Sequence, residues 1–452
     1  MSTPSAETYF TEELTSTYEA VGTLLKGCFR TLNDSTLETV LALAFAMALG
    51  AENIHQVIQR LGVSKSAAYG GVKNVSPYLW RKLLQSHLYE VAIPLVQERL
   101  ATSDATRSRD GMILTVDDTV IARIATELGY VWTWWSGQLK RVTEGQNVIA
   151  LVLVLGDVIL PLDIRIVSKQ GRGLKTKPEI YQEMLTAAYA RFRAAGIDLN
   201  VFKTTGDAAY LSGPIAGVCQ GTSALDATGT PSETPETPET PGTTPAPASS
   251  DAQQETAEQP PASPITGIFG GKAHYVFEIG GVRHKAGHWK KTFKELLTAG
   301  WGTDEQPVYR TPAISPTFGA VTLLFYIPKG KTTISYLIVI GHPLRSGEIL
   351  HAYSFHHRIE EFWKLLKHTL HLGDMKLHGR DGAHACIGLK VIEYLILNTM
   401  KQRLRTLHRF RHVTIHQLVH LCPHFVEWRQ ILAALFPGMI PRQYGLEEAL
   451  CR

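Results

Sequence analysis

From Leu37 to Gly50 (LETVLALAFAMALG) apolar residues occur almost all the way round a helical wheel, the pattern of a buried helix. Between Glu52 and Asn74 the pattern breaks into two shorter helices. The first ends at Leu61-Gly62; the second is capped by Ser64, with Ala67, Ala68 and Tyr69 on its inner face. Residues 1–108 read as helical throughout. After them the period shortens toward that of strands: MILTVDDT (Met112 to Thr119) predicts a strand that ends in two acids. QNVIALVLVLG and DVILPLDIRIVS then predict a hairpin about Gly156-Asp157. This run, Asn147 to Leu162, is too short and too rich in β-branched residues for a membrane span. A helix follows from Lys177 to Ala195, starting near Pro178, with Tyr181, Met184, Leu185, Ala188 and Phe192 on its apolar face. NVFKTTGDAAY is a fourth short strand running into Asp207. Past residue 264, VTLLFYIP and TISYLIVIG are further strands, and helices continue from there. Periodicity alone predicts an α/β chain, and 452 residues suit one dominant domain with appendages.

Composition adds a break to this picture. Gly221 to Pro264 holds nine prolines, one large aliphatic residue (Leu225), seven acids and no Lys or Arg. Such a segment buries too little surface to offset its chain entropy and predicts a disordered spacer. Removing its seven acids takes the formal charge from +4 to +11. A positive body suits phosphate-bearing partners, and equally suits plain solubility. The hydrophobic fraction of 44% and charged fraction of 19% exclude global disorder. Five scattered cysteines without a CxxC predict a reducing compartment and no cysteine zinc cluster. The opening MSTPSAETYFTEEL lacks the blocks of a signal peptide, so the expected location is cytoplasmic.

Local basic clusters sharpen the charge argument. The pair of helices about Ser64 has the form of a helix-turn-helix, with Lys65 and Lys73 nearby, or of an ordinary helical hairpin. From His274 to Leu297, Arg283, His284, Lys285, His288, Lys290, Lys291 and Lys294 surround Trp289. That composition suits a nucleic-acid backbone, or a solvated helix face with one core tryptophan.

Candidate chemistry enters with SYLIVIGHPLRSGEILHAYSFHHRIEEFWKLLKHTL, where Tyr353, His356, Glu360 and Lys367 are spaced x2, x3 and x6. This resembles the C-terminal signature of bacterial insertion-sequence DDE transposases, Tyr-x2-Arg-x3-Glu-x6-Lys, at three of its four positions. Asp117, followed at plus two by Thr119, and Asp207, followed at plus three by Tyr210, are similar to the family's other two acids. The likeness covers roughly Leu114 to Leu397, interrupted by the spacer. It implies an RNase H-like mixed sheet flanked by helices, interrupted by a β-rich insertion after the fourth strand, with an N-terminal helical domain. The corresponding divisions are a helical DNA-binding region (1–108), the first part of the core (109–220), the spacer (221–264), the insertion and returning strands (265–345) and a helical part carrying the catalytic Glu (346–452).

By the same resemblance Asp117, Asp207 and Glu360 are the catalytic carboxylates and ligands of two Mg²⁺ ions, with Mn²⁺ substituting. Phosphoryl transfer uses two such ions about 3.5 to 4 Å apart, and hard cations take oxygen ligands. Asp118 competes with Asp117, and Glu361 with Glu360; the spacings to Thr119 and to Tyr353 and Lys367 favour Asp117 and Glu360. Tyr353, His356, Arg358, Lys364, Lys367, Lys290 and Lys291 are the candidate DNA contacts. His356 is a departure, since the family's Arg is always charged and imidazole is not; Arg358 is the nearest substitute. The implied activity is cleavage at the ends of a mobile element and joining of the 3′-hydroxyls to target DNA. The implied partners are double-stranded DNA and a second copy when two ends are paired, on a bacterial nucleoid and with no membrane. Two alternatives are a metal-dependent nuclease without strand transfer and a catalytically silent DNA-binding protein of transposase descent.

Other features carry weaker readings. His408, His412, His416 and His420 recur every four residues, more in keeping with a packing or DNA-facing surface than with metal. The WTWWSG cluster (Trp132 to Gly137) is either structural or able to stack a base. Trp289 and Trp301 are further stacking candidates. Gly171 and Gly173 form no Walker loop.

Overall fold

The computed structural model describes residues 6–28, 32–61, 64–102, 112–123, 127–137, 139–170, 174–221, 265–299, 307–406 and 410–425. The spacer expected over 221–264 lies, apart from Gly221, outside the described residues, as do Gly171, Gly173, Trp301 and His408.

Six helices come first: α1 (Ala6–Cys28), α2 (Asp34–Ala48), α3 (Ile54–Leu61), α4 (Lys65–Lys73), α5 (Pro77–His87) and α6 (Ile93–Thr102), the last two joined by a π-helical turn. The hydroxyl of Ser64 caps α4 by accepting from the Ala67 N–H, as its position predicts. The inner face of α4 differs from expectation: Ala68 and Val72 are buried, whereas Ala67 faces solvent. All but a few residues of α2 are buried, which accounts for its unbroken apolar pattern.

Then follow β1 (Met112–Ala122), β2 (Trp132–Ser136), β3 (Arg141–Leu155), β4 (Val158–Val167), α7 (Lys177–Ala194), β5 (Lys203–Gly206), α8 (Gly213–Gln220) and β6 (Thr266–Gly270). The β3–β4 hairpin pairs Leu155 with Val158 across Gly156-Asp157, and Gly156 takes the positive φ of 63° that such a tight turn requires. A capping box at Thr176 and Glu179 starts α7. The chain continues through β7 (Val276–Ile279), β8 (Val282–Lys285), α9 (Ala286–Thr292), α10 (Lys294–Ala299), β9 (Val308–Ser315), β10 (Gly319–Tyr326) and β11 (Ser335–Ile340). Last come α11 (Ser346–Ser354), α12 (His357–Lys364), a π-helical turn (Leu365–Thr369), α13 (Gly379–Thr406) and α14 (Ile415–Phe425).

All the described strands belong to one mixed sheet in the order β2-β3-β1-β5-β6-β11-β10-β9-β7-β8, with β4 also paired to β3. β1 is antiparallel to β3 and parallel to β5, and β5 is parallel to β6. Thr266–Gly270 is therefore a central strand beside β5, and the antiparallel excursion begins only at β7, one strand later than the sequence suggests. Side-chain alternation divides the central strands between two cores. Ile113, Val148, Ile268 and Val339 pack with α1, α2, α5, α12 and α13 on one face, and Leu114, Ile149, Phe269 and Ile338 pack with α7 and α8 on the other. Burial on both faces explains why these strands read as continuous apolar runs. No helix among the described residues is long and apolar enough to cross a membrane.

The helical layer closes tightly over α13. Gly388, inside that helix, lies against the Trp80 indole, so that an added Cβ would overlap the ring. Glycine inside a helix ordinarily costs roughly 0.5–1 kcal/mol relative to alanine. Here the sign reverses: Gly388→Ala overpacks the contact and is expected to lower the free energy of unfolding by about 1–3 kcal/mol. Urea denaturation of the variant beside the parent protein measures this, and an unchanged or raised midpoint would contradict the packing described.

Candidate active site

The site starts from a register. Strand β5 pairs with β1 only as far as Gly206 opposite Val116, and the next residues along the two parallel strands are Asp207 and Asp117. The acids therefore emerge side by side where β5 stops. β1 itself does not stop there as its pattern suggests, but runs on to Ala122 against β3. Alternation then separates Asp117 from Asp118. Asp118 is fully engaged: Oδ2 accepts from Asn147 Nδ2 and from Lys177 Nζ, each at 2.6 Å, and Oδ1 accepts from the Tyr210 hydroxyl. Asp117 points the other way, on the side of Thr115 and the helices that follow β11. Its burial and the nearby charge of Asp118, opposed in part by His356, push its carboxyl up to about 7.

Helix α11 ends just after Tyr353, and the chain turns at His356 to begin α12. His356 is buried; its Nδ1 lies 2.9 Å from the Thr115 hydroxyl and its Nε2 3.4 Å from Oδ1 of Asp207. The Tyr353 ring stacks on it with centroids 5.5 Å apart. Burial favours the neutral imidazole, but the hydrogen bond and charge of Asp207, with Asp117 and Glu360 beyond, outweigh it and raise the His356 pKa above 6.5. The same hydrogen bond lowers Asp207. His356 and Tyr353 thus stand behind Asp207, instead of reaching outward to a phosphate as the resemblance implies.

Glu360 is exposed on α12 and lines an open cleft together with Asp117, Asp118, Asp207, Lys364, Lys367 and His368. Lys367 sits in the π-helical turn, where burial lowers its pKa and the charges of Asp117 and Asp118 partly restore it. The segment after this turn is tied to the end of β1 by buried Arg123, whose guanidinium donates to the Leu372 carbonyl at 3.0 Å. Glu361 faces elsewhere, accepting from Arg358 at 2.7 Å. Arg358 is accordingly turned toward Glu361, near Tyr394 and Lys401 of α13, and does not line the cleft, so it does not replace the missing arginine. Lys290 and Lys291 lie on α9 in the inserted region, Lys290 Nζ being 5.2 Å from the Tyr336 ring centroid, and line a different surface.

Several participants carry no signal in the sequence that ties them to the acids, although the WTWWSG cluster (Trp132 to Gly137) is a stacking candidate by composition. Trp135, Ser136, Gly137 and Lys140 form one wall of the cleft, and Trp363 contributes from α12. Thr115 holds His356, and Lys177 and Asn147 hold Asp118. Thr115 is the exception, since its position two residues before Asp117 on the same strand face could have found it; nothing local marks Asn147.

The donor chemistry suits a hard divalent cation, since three carboxylates on separate elements face one cleft. The geometry as it stands does not: among the described residues no group of three His, Cys, Asp or Glu side chains converges to hold a metal ion, and Asp207 is engaged by His356.

The raised Asp117 pKa has a stability consequence in metal-free protein. The folded state keeps a proton on Asp117 that the unfolded chain releases near pH 3.8, so this contribution is fully present below that pH and is lost as pH rises through about 7. Asp117→Asn removes the penalty of the buried charge. Its melting temperature, relative to the parent, is expected to be higher at pH 8 than at pH 5, as scanning calorimetry at both values would record; an offset independent of pH would place Asp117 in water.

No protein-family model matches this chain, and no curated protein matches it in sequence.

Proposed function

We propose that the chain is a DNA transposase with an RNase H-like core, which binds the ends of a mobile element, breaks them by metal-dependent phosphoryl transfer and joins the 3′-hydroxyls to target DNA. One observation carries the reading: Asp117, Asp207 and Glu360, on two adjacent parallel strands and a following helix, face one cleft beside Lys364 and Lys367. The strand order β4-β3-β1-β5-β6, antiparallel in its first half and parallel in its second, supports the RNase H-like assignment. The inserted strands β7 to β10 extend the same sheet through β11.

In this reading a water or a DNA 3′-hydroxyl attacks phosphorus in line, a P–O bond forms as another breaks, and no covalent enzyme intermediate is needed. Lys364 and Lys367 offset phosphate charge at the cleft wall. His356 orients Asp207 through Nε2 and is itself held by Thr115. The cofactor proposed is Mg²⁺, with Mn²⁺ substituting; bound ions would activate the attacking oxygen and stabilise the leaving one. The partners proposed are double-stranded DNA and a second copy of the chain when two ends are held together.

The absence of a converged ligand group among the described residues, with His356 in place of arginine, favours a second reading, a silent DNA-binding protein of the same descent. Purified protein incubated with a DNA fragment carrying its own gene and flanks, in Mg²⁺ or Mn²⁺, separates the two. Discrete new 3′-hydroxyl ends at both gene borders are expected, reduced about 100-fold or more by Asp207→Ala or Asp117→Asn. Breaks without joined products would indicate a nuclease alone. DNA binding with no metal-dependent break would establish the silent reading.

A further inference from the structure

A separate cavity of about 770 Å³ lies where α1, the end of α5, α6 and the start of β4 meet α13, and none of its lining residues also lines the carboxylate cleft. The volume is that of a small-molecule site, and close packing leaves few such spaces in a protein interior. Its apolar wall comes from Val21 and Leu24 of α1, Leu160 of β4 and Leu395 of α13. It opens beside α1, where Ala20 and Gly27 are exposed. The π-helical turn Leu88–Ala92 borders it through Glu90 and Val91. Such turns recur at functional sites, and the one after α12 carries Lys367 to the carboxylate cleft.

Polar groups are set into this wall. His87 is buried, and its Nδ1 lies 3.1 Å from the Pro161 carbonyl, which can only accept, so the ring proton is on Nδ1. Burial pushes the His87 pKa down to about 4, so at neutral pH the ring is uncharged and Nε2 is an acceptor. On α13, Asn398 and Gln402 are four residues apart and share the face that lines the cavity. Asn398 is 6% exposed, and Gln402 Nε2 is buried with no hydrogen-bond partner among the described residues. A buried amide donor without an acceptor is costly, so an acceptor is expected in the space that it lines. Arg403, the next residue, turns to the Ser16 hydroxyl and lies 3.9 Å from Glu13, and Glu90 is exposed at the rim.

We infer that this cavity binds an uncharged, largely apolar small molecule whose carbonyl, hydroxyl or amide group accepts from the Gln402 amide. A ligand with a proton to give donates it to His87 Nε2. The apolar wall takes the body of the molecule, and the neutrality of the buried polar groups disfavours an ion beside them. The N-terminal helices form one side of the cavity and β4 with α13 the other, so a bound molecule strengthens the attachment of those helices to the rest of the chain. This site depends on nothing in the chemistry of the carboxylate cleft.

The probe is 6-propionyl-2-(dimethylamino)naphthalene, an uncharged fluorophore whose ketone accepts a hydrogen bond and whose emission moves to the blue in apolar surroundings. Titration with the full-length protein is expected to give a saturable blue shift with one site per chain, and the saturating probe to raise the melting temperature. Ala20→Trp, at the exposed rim, fills the space without entering the core and is expected to abolish the shift. Gln402→Leu keeps the volume and removes the donor, weakening binding about 10-fold. Against the bound probe 2-naphthol is expected to compete, and the anion 2-naphthalenesulfonate about 10-fold more weakly or less still. Circular dichroism of both variants excludes misfolding as the cause. The absence of a saturable shift with the parent overturns the proposal, water or the chain itself then filling the cavity. A shift that survives Ala20→Trp, or an affinity that Gln402→Leu leaves unchanged, also overturns it, as does displacement by the sulfonate equal to that by 2-naphthol.

Discussion

Parallel pairing of β5 with β1 sets the position of everything in the cleft. The pairing ends at Val116 and Gly206, so two acids separated by about ninety residues of chain leave the sheet at the same level. Because both strands are buried on both faces, neither can slip by one residue without moving a whole apolar row into the wrong core. The register is therefore held by hydrophobic burial on a large scale, and the carboxylates inherit that precision without any demand on their own packing.

Around this pair the structure gives each neighbouring acid a different environment. Asp118 is neutralised by Lys177 and held by Asn147 and Tyr210, whereas burial and the charge of Asp118, opposed only in part by His356, drive Asp117 toward protonation. Asp207 is kept ionised by His356. Unequal environments among adjacent carboxylates are a mark of functional sites, where the penalty of a buried charge is tolerated for reactivity. The imidazole standing in place of a guanidinium accordingly plays a different part. Buried and shared between Thr115 and Asp207, it supports a carboxylate instead of extending into the cleft.

The helices over the cleft reach their places by packing. α12 presents Ile359, Phe362 and Trp363 to the core and leaves Glu360 and Lys364 outward, and the π-helical turn that follows carries Lys367 back to the same cleft. Arg123 secures the end of that segment to β1. On the far side the β2–β3 hairpin stands on Trp132 and Trp134. The cleft is thus framed by two elements that share little sequence proximity and are brought together by the sheet.

Much of this was legible in the residues. Continuous β-branched runs bounded by Gly-Asp, the all-apolar Leu37 helix, the Ser64 cap and the Pro178 helix start are local signals, determined by steric preference and by the need to bury apolar surface over short stretches. The spacing of Tyr353, Glu360 and Lys367 is equally local and nominates Glu360, while Asp117 and Asp207 come from their own short motifs at strand ends through the resemblance. Tertiary structure decided the rest, because it depended on partners far away in the chain. Thr115 meets His356 across 241 residues. Arg358 turns to Glu361 because α12 buries its other face, and Thr266–Gly270 joins the sheet centre because β5 offers it a parallel edge. Trp135 is exposed on the cleft while its neighbour Trp134 is covered, since alternation on a paired strand, and not composition, selects which ring meets solvent.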